Sequence, residues 1–336
     1  MSVLTSYRLR LRRKRFRLRA LRRSRDLRPV ADRTDRIASD DILLFATVRN
    51  EHVRLPYFLE YYRDLGVGHF LFVDNASDDG TRDYLAGVSD VSLWTARESY
   101  KRSRFGADWM NWLLRRYGHG HWTIAVDADE FLVYPFCDTR PLQALTDWLD
   151  ASSIRSLGAM LVDMYPRGRI DQAPYRPGQN PLEITKWFDP GNYTISRNPE
   201  YGNLWIQGGP RARVFFADEP ARAPALNKIP LVRWNRRFTY VSSTHSLLPR
   251  GLNRVYDEWG GEKMSGCLLH AKFLDHFIDK SREEVERRQH FGNSYEYRAY
   301  LDRIDAHPDL WCRWSERYEG WRQLERLGLM STGNWA

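Results

Sequence analysis

ILLFATV, at residues 42–48, is a short and continuous apolar run, typical of a central parallel strand that is buried on both faces. A helix-like stretch follows it up to Leu65, with Pro56 near the first turn and Gly66 at the end. A second apolar run, HFLFV at residues 69–73, predicts the next strand. This succession of strand, helix and strand indicates a βαβ unit.

The same alternation continues along the chain. The other predicted elements are, in chain order, helices at 81–86, 105–117 and 142–149 and strands at 91–94, 122–126, 159–162, 212–216 and 231–234. Residues 166–203 are rich in Pro, Gly and Asn and predict a long acceptor-side loop region, and residues from about 282 to 327 predict a helical C-terminal region. We therefore expect an α/β fold, with a Rossmann-like, mostly parallel central sheet flanked by helices.

Charge is divided unevenly along the chain. The 336 residues carry 52 Lys and Arg against 43 Asp and Glu, a formal net charge of +9. Residues 1–36 hold 14 of those cations and 3 of those acids and so carry +11, whereas the remaining 300 residues carry −2. We expect this segment to be either a disordered arm or a surface that adheres to anionic lipid headgroups. Nucleic acid is the least favoured partner, because nothing downstream supplies a basic surface with interleaved aromatic residues.

The sequence shows neither a membrane span nor a secretion signal. No apolar run approaches the roughly 18 residues that cross a bilayer, and the N-terminus lacks the apolar core of a signal peptide. Cys137, Cys267 and Cys312 are odd in number and far apart, which fits reduced thiols rather than disulfides or a zinc site. We expect a cytoplasmic protein, peripheral on the inner face of the cell membrane if the basic segment binds lipid.

An acidic cluster, Asp127-Ala128-Asp129-Glu130, follows the strand at 122–126. Side chains two apart on an extended segment share a face, so Asp127 and Asp129 can converge on one cation, or on a ribose and a cation. Mg²⁺ and Mn²⁺ prefer oxygen ligands and keep positions for phosphate and water. Ligands of open α/β sheets bind beyond the carboxyl ends of the strands. The cluster therefore predicts a divalent cation site, and its structural alternative is a solvated turn.

A second polar cluster, residues 74–81, follows the strand at 69–73. A tight turn and a helix N-cap account for residues 77–79, whose side chains are short and polar. Asp74 differs, because it stands at the carboxyl end of the strand, where a carboxylate can accept hydrogen bonds from a nucleobase or a ribose.

Four basic or imidazole side chains are further candidates. Arg211 and Lys228 can neutralise a leaving diphosphate, while a neutral His245 or His270 can complete the coordination shell of a cation. Each has a structural alternative, since a lone His is usually a hydrogen-bonding group and Lys228 can be a surface charge at a strand end.

Three strings resemble the family 2-like glycosyltransferases in both order and spacing. They are TVRNE at residues 47–51, VDNASDDGT at 73–81 and VDADEFL at 126–132. Within that group the chain is most similar to the bacterial branch related to family 92, whose acidic motif is typically DADEF. Three later strings also look like that branch, namely KIP at 228–230, STH at 243–245 and LLHAK at 268–272. The resemblance covers roughly residues 42–300.

This resemblance implies a GT-A fold, a nucleotide-sugar donor and a divalent cation, Mn²⁺ or Mg²⁺. It assigns nucleotide binding to Thr47, Arg49, Asn50, Glu51, Asp74, Asp127 and Arg211. It assigns metal binding to Asp127, Asp129 and a late His, for which His270 and His245 compete. It also implies three regions: a basic arm at 1–36, a glycosyltransferase domain at 37–300 and a helical extension at 301–336.

The catalytic base is not fixed by the resemblance. Many family 2 enzymes carry a Glu-Asp pair midway between the metal motif and the chain end, and this chain has no such pair. Asp163, Glu183 and the pair Asp218-Glu219 are the carboxylate candidates, and Lys228 is the candidate for neutralising the leaving group. The expected reaction is transfer of a sugar to a hydroxyl of a glycan or a lipid-linked acceptor, with inversion of the anomeric centre, in cell-surface polysaccharide synthesis.

Two other classes of function compete with this expectation. A sugar nucleotidyltransferase would carry a Gly-rich, basic loop directly after the first strand, where this chain has Arg49-Asn50-Glu51-His52. A non-catalytic binder of membranes or nucleic acid would act through residues 1–36 alone. A glycoside hydrolase fits poorly, because its two carboxylates stand roughly 5 to 10 Å apart across a sugar, whereas Asp127 and Asp129 are too close in sequence.

Overall fold

The computed structural model describes residues 3–172, 174–256, 263–287, 289, 291–304 and 309–335. The helices of these residues are α1 Val3–Arg23, α2 Leu55–Asp64, α3 Thr81–Gly87, α4 Ala107–Tyr117, α5 Leu142–Ala151, α6 Phe277–Arg287, α7 Phe291–Ile304 and α8 Trp321–Arg326. The strands are β1 Arg28–Ala31, β2 Ile42–Val48, β3 Val67–Asp74, β4 Val91–Thr95, β5 Trp122–Ala125, β6 Glu130–Val133, β7 Ser156–Asp163, β8 Trp187–Phe188, β9 Tyr193–Arg197, β10 Leu204–Gly208, β11 Asn227–Arg233, β12 Thr239–Ser242, β13 Ser246–Leu248, β14 Gly266–His270 and β15 Glu316–Arg317.

One large sheet organises the described residues. Its nine strands follow the order β1-β4-β3-β2-β5-β11-β7-β14-β6. Six of them, β4, β3, β2, β5, β7 and β14, run in the same direction, while β1, β11 and β6 run opposite to them. The predicted α/β fold, with a Rossmann-like and mostly parallel central sheet, is confirmed.

The apolar run at 42–48 lies in the interior of this sheet because both of its faces are covered. Leu44 and Ala46 of β2 pack into the same apolar layer as α2 and α5, whereas Leu43 and Phe45 pack into the layer that contains α4. Successive side chains of a strand point to opposite faces, so a strand with helices on both sides needs apolar residues at every position. Residues 42–46 are accordingly almost fully buried.

The acidic motif marks the place where the chain changes direction. After β5 the chain turns through Ala128 and Asp129, and β6 then pairs antiparallel with β14 at the far edge of the sheet. The pairing sets Glu130 opposite His270, and the parallel pairing of β14 with β7 sets His270 opposite Asp163. The topology therefore brings three titratable residues from distant parts of the chain into one row.

The basic N-terminal segment is ordered, which corrects the alternative of a disordered arm. Residues Val3–Arg23 form α1, in which Leu9 and Ala20 are buried. The guanidinium of Arg19 lies 3.0 Å from the carboxylate of Asp108 on α4. Residues 28–31 continue into the sheet as edge strand β1. The boundaries proposed at residues 36 and 300 stay predictions. Among the described residues, no helix has the length and apolar character that a bilayer crossing requires.

The predicted strand at 212–216 is wrong. Residues Arg211–Phe215 form a π-helical turn. Gly208 and Gly209, with φ of +147° and +65°, turn the chain just before it, and such backbone angles favour glycine. Phe215 then packs on Phe273 and Tyr300. The apolar residues that predicted a strand are therefore the residues with which this turn packs into the core.

The predicted helical C-terminal region contains α6, α7 and α8. The short strand β15 interrupts it and pairs antiparallel with β8. Strands β8 and β9 and several short turns occupy the region at 166–203 that was predicted as a loop, and β10 begins directly after it.

Candidate functional site

A cleft with a volume of about 150 Å³ opens at the carboxyl ends of β2, β3 and β5. Crevices at this edge of an α/β sheet are the usual ligand sites of such folds. Six of the residues predicted from the sequence line it, namely Thr47, Arg49, Glu51, Asp127, Asp129 and His270. The hydroxyl of Thr47 is buried and has no hydrogen-bond partner within the described residues, so it can bond a ligand.

The three acids of the motif lie in different environments. Asp127 is largely exposed, with 58% of its side chain accessible, whereas Asp129 is 16% accessible and Glu130 is buried. The segment is a turn and not an extended strand, so the predicted sharing of a strand face does not apply. Asp127 and Asp129 nevertheless both line the cleft, while Glu130 points into the protein.

Asp129 begins a continuous chain of charged contacts. Its Oδ2 lies 3.3 Å from Nε2 of His270. The other ring nitrogen of His270, Nδ1, donates a hydrogen bond of 2.7 Å to Oδ1 of Asp163. The second oxygen of Asp163 accepts a 2.7 Å hydrogen bond from Nε of Arg211. The imidazole is thereby fixed between two carboxylates, the second of which is itself held by a guanidinium.

The charges in this chain stabilise one another. Burial alone would lower the pKa of His270, but the carboxylates of Asp129 and Asp163 outweigh it and raise that pKa. Burial would raise the pKa of Asp163, but Arg211 and His270 lower it below its ordinary value. The pKa of Asp129 is lowered in the same way, chiefly by His270 and then by Arg54. The surrounding charges therefore favour the ionised form of both carboxylates and the protonated form of the imidazole.

Arg54 is a site residue that the sequence did not reveal. Its Nη1 lies 3.2 Å from Oδ2 of Asp129 and donates a 3.1 Å hydrogen bond to the carbonyl of Ala271. Its Nε lies 3.4 Å from Oε2 of Glu51. Arg54 directly precedes α2 and is buried. In the sequence, the only indication of its role is a charged residue next to the apolar face of a predicted helix.

Lys228 lies behind the acidic motif and does not line the cleft. Its Nζ is 2.8 Å from Oε1 of Glu130 and 3.7 Å from Oδ2 of Asp127. Burial would lower the pKa of Lys228, but Glu130 and Asp127 outweigh this and raise it. Glu130 also accepts a hydrogen bond from the backbone N–H of Asp127. Lys228 thus supports the turn that presents Asp127.

Several cations lie around the cleft besides Arg54. Arg49, Lys272, Lys280 and Arg287 all line it, and the last three were not predicted. The ammonium of Lys272 lies 5.1 Å from the ring centres of Tyr297 and Tyr300, and burial lowers its pKa. Lys280 contacts Glu51, and burial lowers the pKa of Lys280 to about 8. This group of cations suits an anionic ligand.

Asp74 and Asn50, both predicted to bind the nucleotide, lie outside the lining of the cleft. Asp74 is buried and accepts a 3.2 Å hydrogen bond from the backbone N–H of Ser77, as a turn-forming carboxylate does. Asn50 accepts a 3.0 Å hydrogen bond from the N–H of Asp78 and contacts Glu283 through its amide. Asn75, next to Asp74, does line the cleft.

The candidates for the catalytic base also lie away from the cleft surface. Asp163 is buried, and both of its oxygens are engaged by His270 and Arg211. Glu183 is exposed on a short 3₁₀ turn, Pro181–Glu183, and does not line the cleft. Arg211 is buried against Asp163, so it positions a residue behind the cleft instead of facing a nucleotide.

His245 is separated from the acidic motif. Its Nδ1 donates a 2.6 Å hydrogen bond to the carbonyl of Asn227, and it does not line the cleft. Burial, and then the nearby Lys228, lower the pKa of His245 to about 3. Of the two predicted metal-binding histidines, the structure brings only His270 to Asp129.

We expect His245 to make the fold sensitive to acid. In the unfolded chain His245 has a pKa near 6.5, whereas in the folded protein its pKa is about 3. Between these two pH values the unfolded state binds a proton that the folded state does not, so the free energy of unfolding falls as the pH drops below 6.5. At pH 4.5 this loss is about 2 to 3 kcal/mol, from about 1.4 kcal/mol per pH unit. Urea unfolding of wild type and His245→Gln at pH 7.5 and 4.5 measures it. Equal losses of stability in both proteins between the two pH values would contradict the assignment.

The residues present fit a divalent cation. Asp129 and Nε2 of His270 converge in the cleft, and the carboxylate of Asp163 holds the other ring nitrogen, as is usual for a metal-binding His. No group of three His, Cys, Asp or Glu side chains in the described part of the chain is placed to hold a metal ion. Two protein ligands suffice for a cation whose remaining positions are filled by phosphate oxygens and water.

Comparisons with known proteins give no family for this chain. No protein-family model matches it, and no curated protein sequence matches it. Among solved structures, it is similar to a Bacillus anthracis protein described as a glucose-1-phosphate thymidylyltransferase in complex with a sucrose. The match has 8% sequence identity and a TM-score of 0.30, and covers 86% of this chain and 93% of that chain. Such a distant likeness gives no basis for transferring an activity.

Proposed function

We propose that this protein is a metal-dependent glycosyltransferase of the GT-A type, which transfers a sugar from a nucleotide-sugar donor to an acceptor hydroxyl. The observation that carries the proposal is the chain Asp129–His270–Asp163–Arg211 at the edge of a cation-lined cleft. The resemblance of residues 47–51, 73–81 and 126–132 to family 2-like glycosyltransferases supports it independently.

The cation would be Mn²⁺ or Mg²⁺, which Asp129, His270 and Asp127 would hold, and it would supply charge stabilisation to a leaving nucleoside diphosphate. Arg211 keeps Asp163 ionised, and Asp163 holds the Nδ1 proton of His270, which leaves Nε2 to face the cleft. Asp129 and Nε2 of His270 would hold the cation, and binding through Nε2 would require the imidazole in its neutral form.

The basic side chains around the cleft stabilise the negative charge that develops on the leaving group. Arg54 contacts Asp129 directly, and Lys272 acts electrostatically on the same carboxylate. Fixed cations in a partly buried site act on developing charge more strongly than they would in water. The acceptor is a hydroxyl of a glycan or a lipid-linked sugar, and inversion of the anomeric centre follows from the family resemblance alone.

Product analysis tests the proposal. The purified protein is incubated with a panel of UDP- and GDP-sugars, a hydroxyl acceptor mixture and Mn²⁺, and release of nucleoside diphosphate is followed. We expect release with at least one donor and its loss when EDTA is added. Pyrophosphate release from a nucleoside triphosphate and a sugar 1-phosphate, with no turnover of any nucleotide-sugar, would instead identify a nucleotidyltransferase.

A further inference from the structure

Helix α1 has an inner and an outer face, and only the inner one is covered by the protein. On the inner face Leu9 and Ala20 are buried, and Phe16 lies 3.9 Å from the guanidinium of Arg104. Arg12 contacts Glu200 there, and Arg19 contacts Asp108. The helix is therefore anchored, and its outer face has a defined direction.

An apolar strip runs along the outer face. Leu4, Tyr7, Leu11 and Leu18 are 80%, 60%, 46% and 55% exposed, and at 100° per residue they fall on one line of the helix. Of the ten large hydrophobic residues that the described chain exposes strongly, six are in α1. Soluble proteins scatter such residues singly, so their alignment indicates a surface that is covered by something apolar.

Cations border this strip on both sides. Arg8, Arg15 and Arg22 follow one border of the strip, while Arg10 and Lys14 follow the other. Within the described residues, no carboxylate forms an ion pair with any of the five. The carboxylates near α1 pair with inner-face cations instead, as Asp108 does with Arg19.

A cluster of arginines extends the basic surface beyond α1. Arg17 lies near Arg115 of α4 and near Arg236 and Arg237, which follow β11, and Arg13 also lies near Arg237. Burial, and then these neighbouring guanidinium groups, lower the pKa of Arg17. The Nε atoms of Arg13 and Arg17 are buried without a hydrogen-bond partner in the described structure. Like charges assembled in this way would be stabilised by anions from outside the protein.

We infer that the outer face of α1 and the adjoining arginine cluster form a docking surface for a bilayer that contains anionic phospholipids. A ligand of this surface must offer apolar groups to the leucine strip and anionic groups to the cations on both sides of the strip. The boundary between headgroups and acyl chains in an anionic membrane offers both. Nucleic acid would match the cations but would leave the leucines in water. The helix, about 32 Å long, would lie in the plane of the interface.

Vesicle binding by the full chain tests this inference and does not depend on sugar transfer. Sedimentation is measured with vesicles of phosphatidylcholine alone and of phosphatidylcholine and phosphatidylglycerol in equal amounts. We expect binding to the anionic vesicles, at least about tenfold weaker binding to the neutral ones, and weakening as salt rises from about 0.1 M to about 0.5 M.

Two variants separate the apolar and the ionic contributions. Leu11→Ser/Leu18→Ser keeps the charge, and Lys14→Gln/Arg15→Gln/Arg22→Gln keeps the leucines; each should weaken binding by about tenfold or more. The matched control, Ile195→Ser/Arg82→Gln, changes an exposed apolar and an exposed basic residue elsewhere and should bind as wild type does. All these positions are exposed, so the variants should unfold at the wild-type temperature, which a thermal melt checks.

Three results would overturn the inference. The first is a wild-type protein that binds neither kind of vesicle. The second is a leucine variant that binds as wild type does while the charge variant alone loses binding. The third is tight binding of wild type to duplex DNA, abolished in the charge variant, with no binding to anionic vesicles, which would identify a nucleic-acid surface.

Discussion

Asp129→Asn should reduce sugar transfer by at least about a hundredfold, because it removes the carboxylate that faces both His270 and the cleft. Asn has nearly the same shape, so the cleft keeps its form while the negative charge is lost. Transfer is measured as nucleoside diphosphate released from the active donor over a range of Mn²⁺ concentrations. A rate that stays low at every Mn²⁺ concentration identifies a lost ligand, whereas full recovery at high Mn²⁺ indicates weakened affinity.

The matched control for this variant is Asp83→Asn. Asp83 lies on α3, 81% of its side chain is exposed, and it does not line the cleft. We expect it to retain wild-type turnover. Asp129→Asn protein that is folded by circular dichroism and as active as Asp83→Asn would contradict a catalytic role for the acidic motif.

Arg211→Met should lower the free energy of unfolding by about 3 to 5 kcal/mol. Both Arg211 and Asp163 are buried, and their side chains are 5% and 1% accessible. Removing the guanidinium leaves a buried carboxylate with one cationic partner fewer, which costs much more than the pair contributes when it is intact. Urea unfolding at pH 7.5 measures the change.

Two further variants show whether the cost comes from the uncompensated charge. Arg211→Met/Asp163→Asn should recover part of the lost stability, because the amide needs no counter-charge. Arg63→Met breaks the exposed pair with Asp90 and should cost about 0 to 1 kcal/mol. If Arg211→Met were as mild as Arg63→Met, the buried ion pair would have no special role in the fold.

The central sheet could be predicted from the sequence because its strands are coded locally. Residues 42–48 and 69–73 are apolar at successive positions, and burial on both faces requires that pattern. The same local logic failed at residues 212–216, where Gly208 and Gly209 turn the chain before the apolar residues. A short apolar run does not by itself distinguish a strand from a packed turn.

The site could be predicted only in part, because its contacts join distant segments. The position of Asp127 and Asp129 after a strand was enough to place them at the cleft. Arg54 contacts the carbonyl of Ala271, 217 residues away, and nothing in the local sequence indicates that contact. The choice between His270 and His245 depended on the pairing of β14 with β6 and β7, which a single sequence does not specify.

The basic segment illustrates a different kind of failure. Its charge suggested either a disordered arm or a surface that adheres to lipid headgroups, and α1 is held to the protein by Leu9, Ala20 and the pairing of Arg19 with Asp108. These buried residues are few and are separated by many arginines, so the sequence shows no clear apolar face that would predict packing of the helix against the protein. Once that inner face is covered, the remaining apolar residues form the outer strip.

Calorimetric titration of the purified protein with UDP and with GDP, in the presence and absence of Mn²⁺, tests the proposed function most directly. We expect one of the two nucleotides to bind only when Mn²⁺ is present, and Asp129→Asn to abolish this binding. Cation-independent binding of equal strength in both proteins, or no binding of either nucleotide to folded wild-type protein, would contradict it.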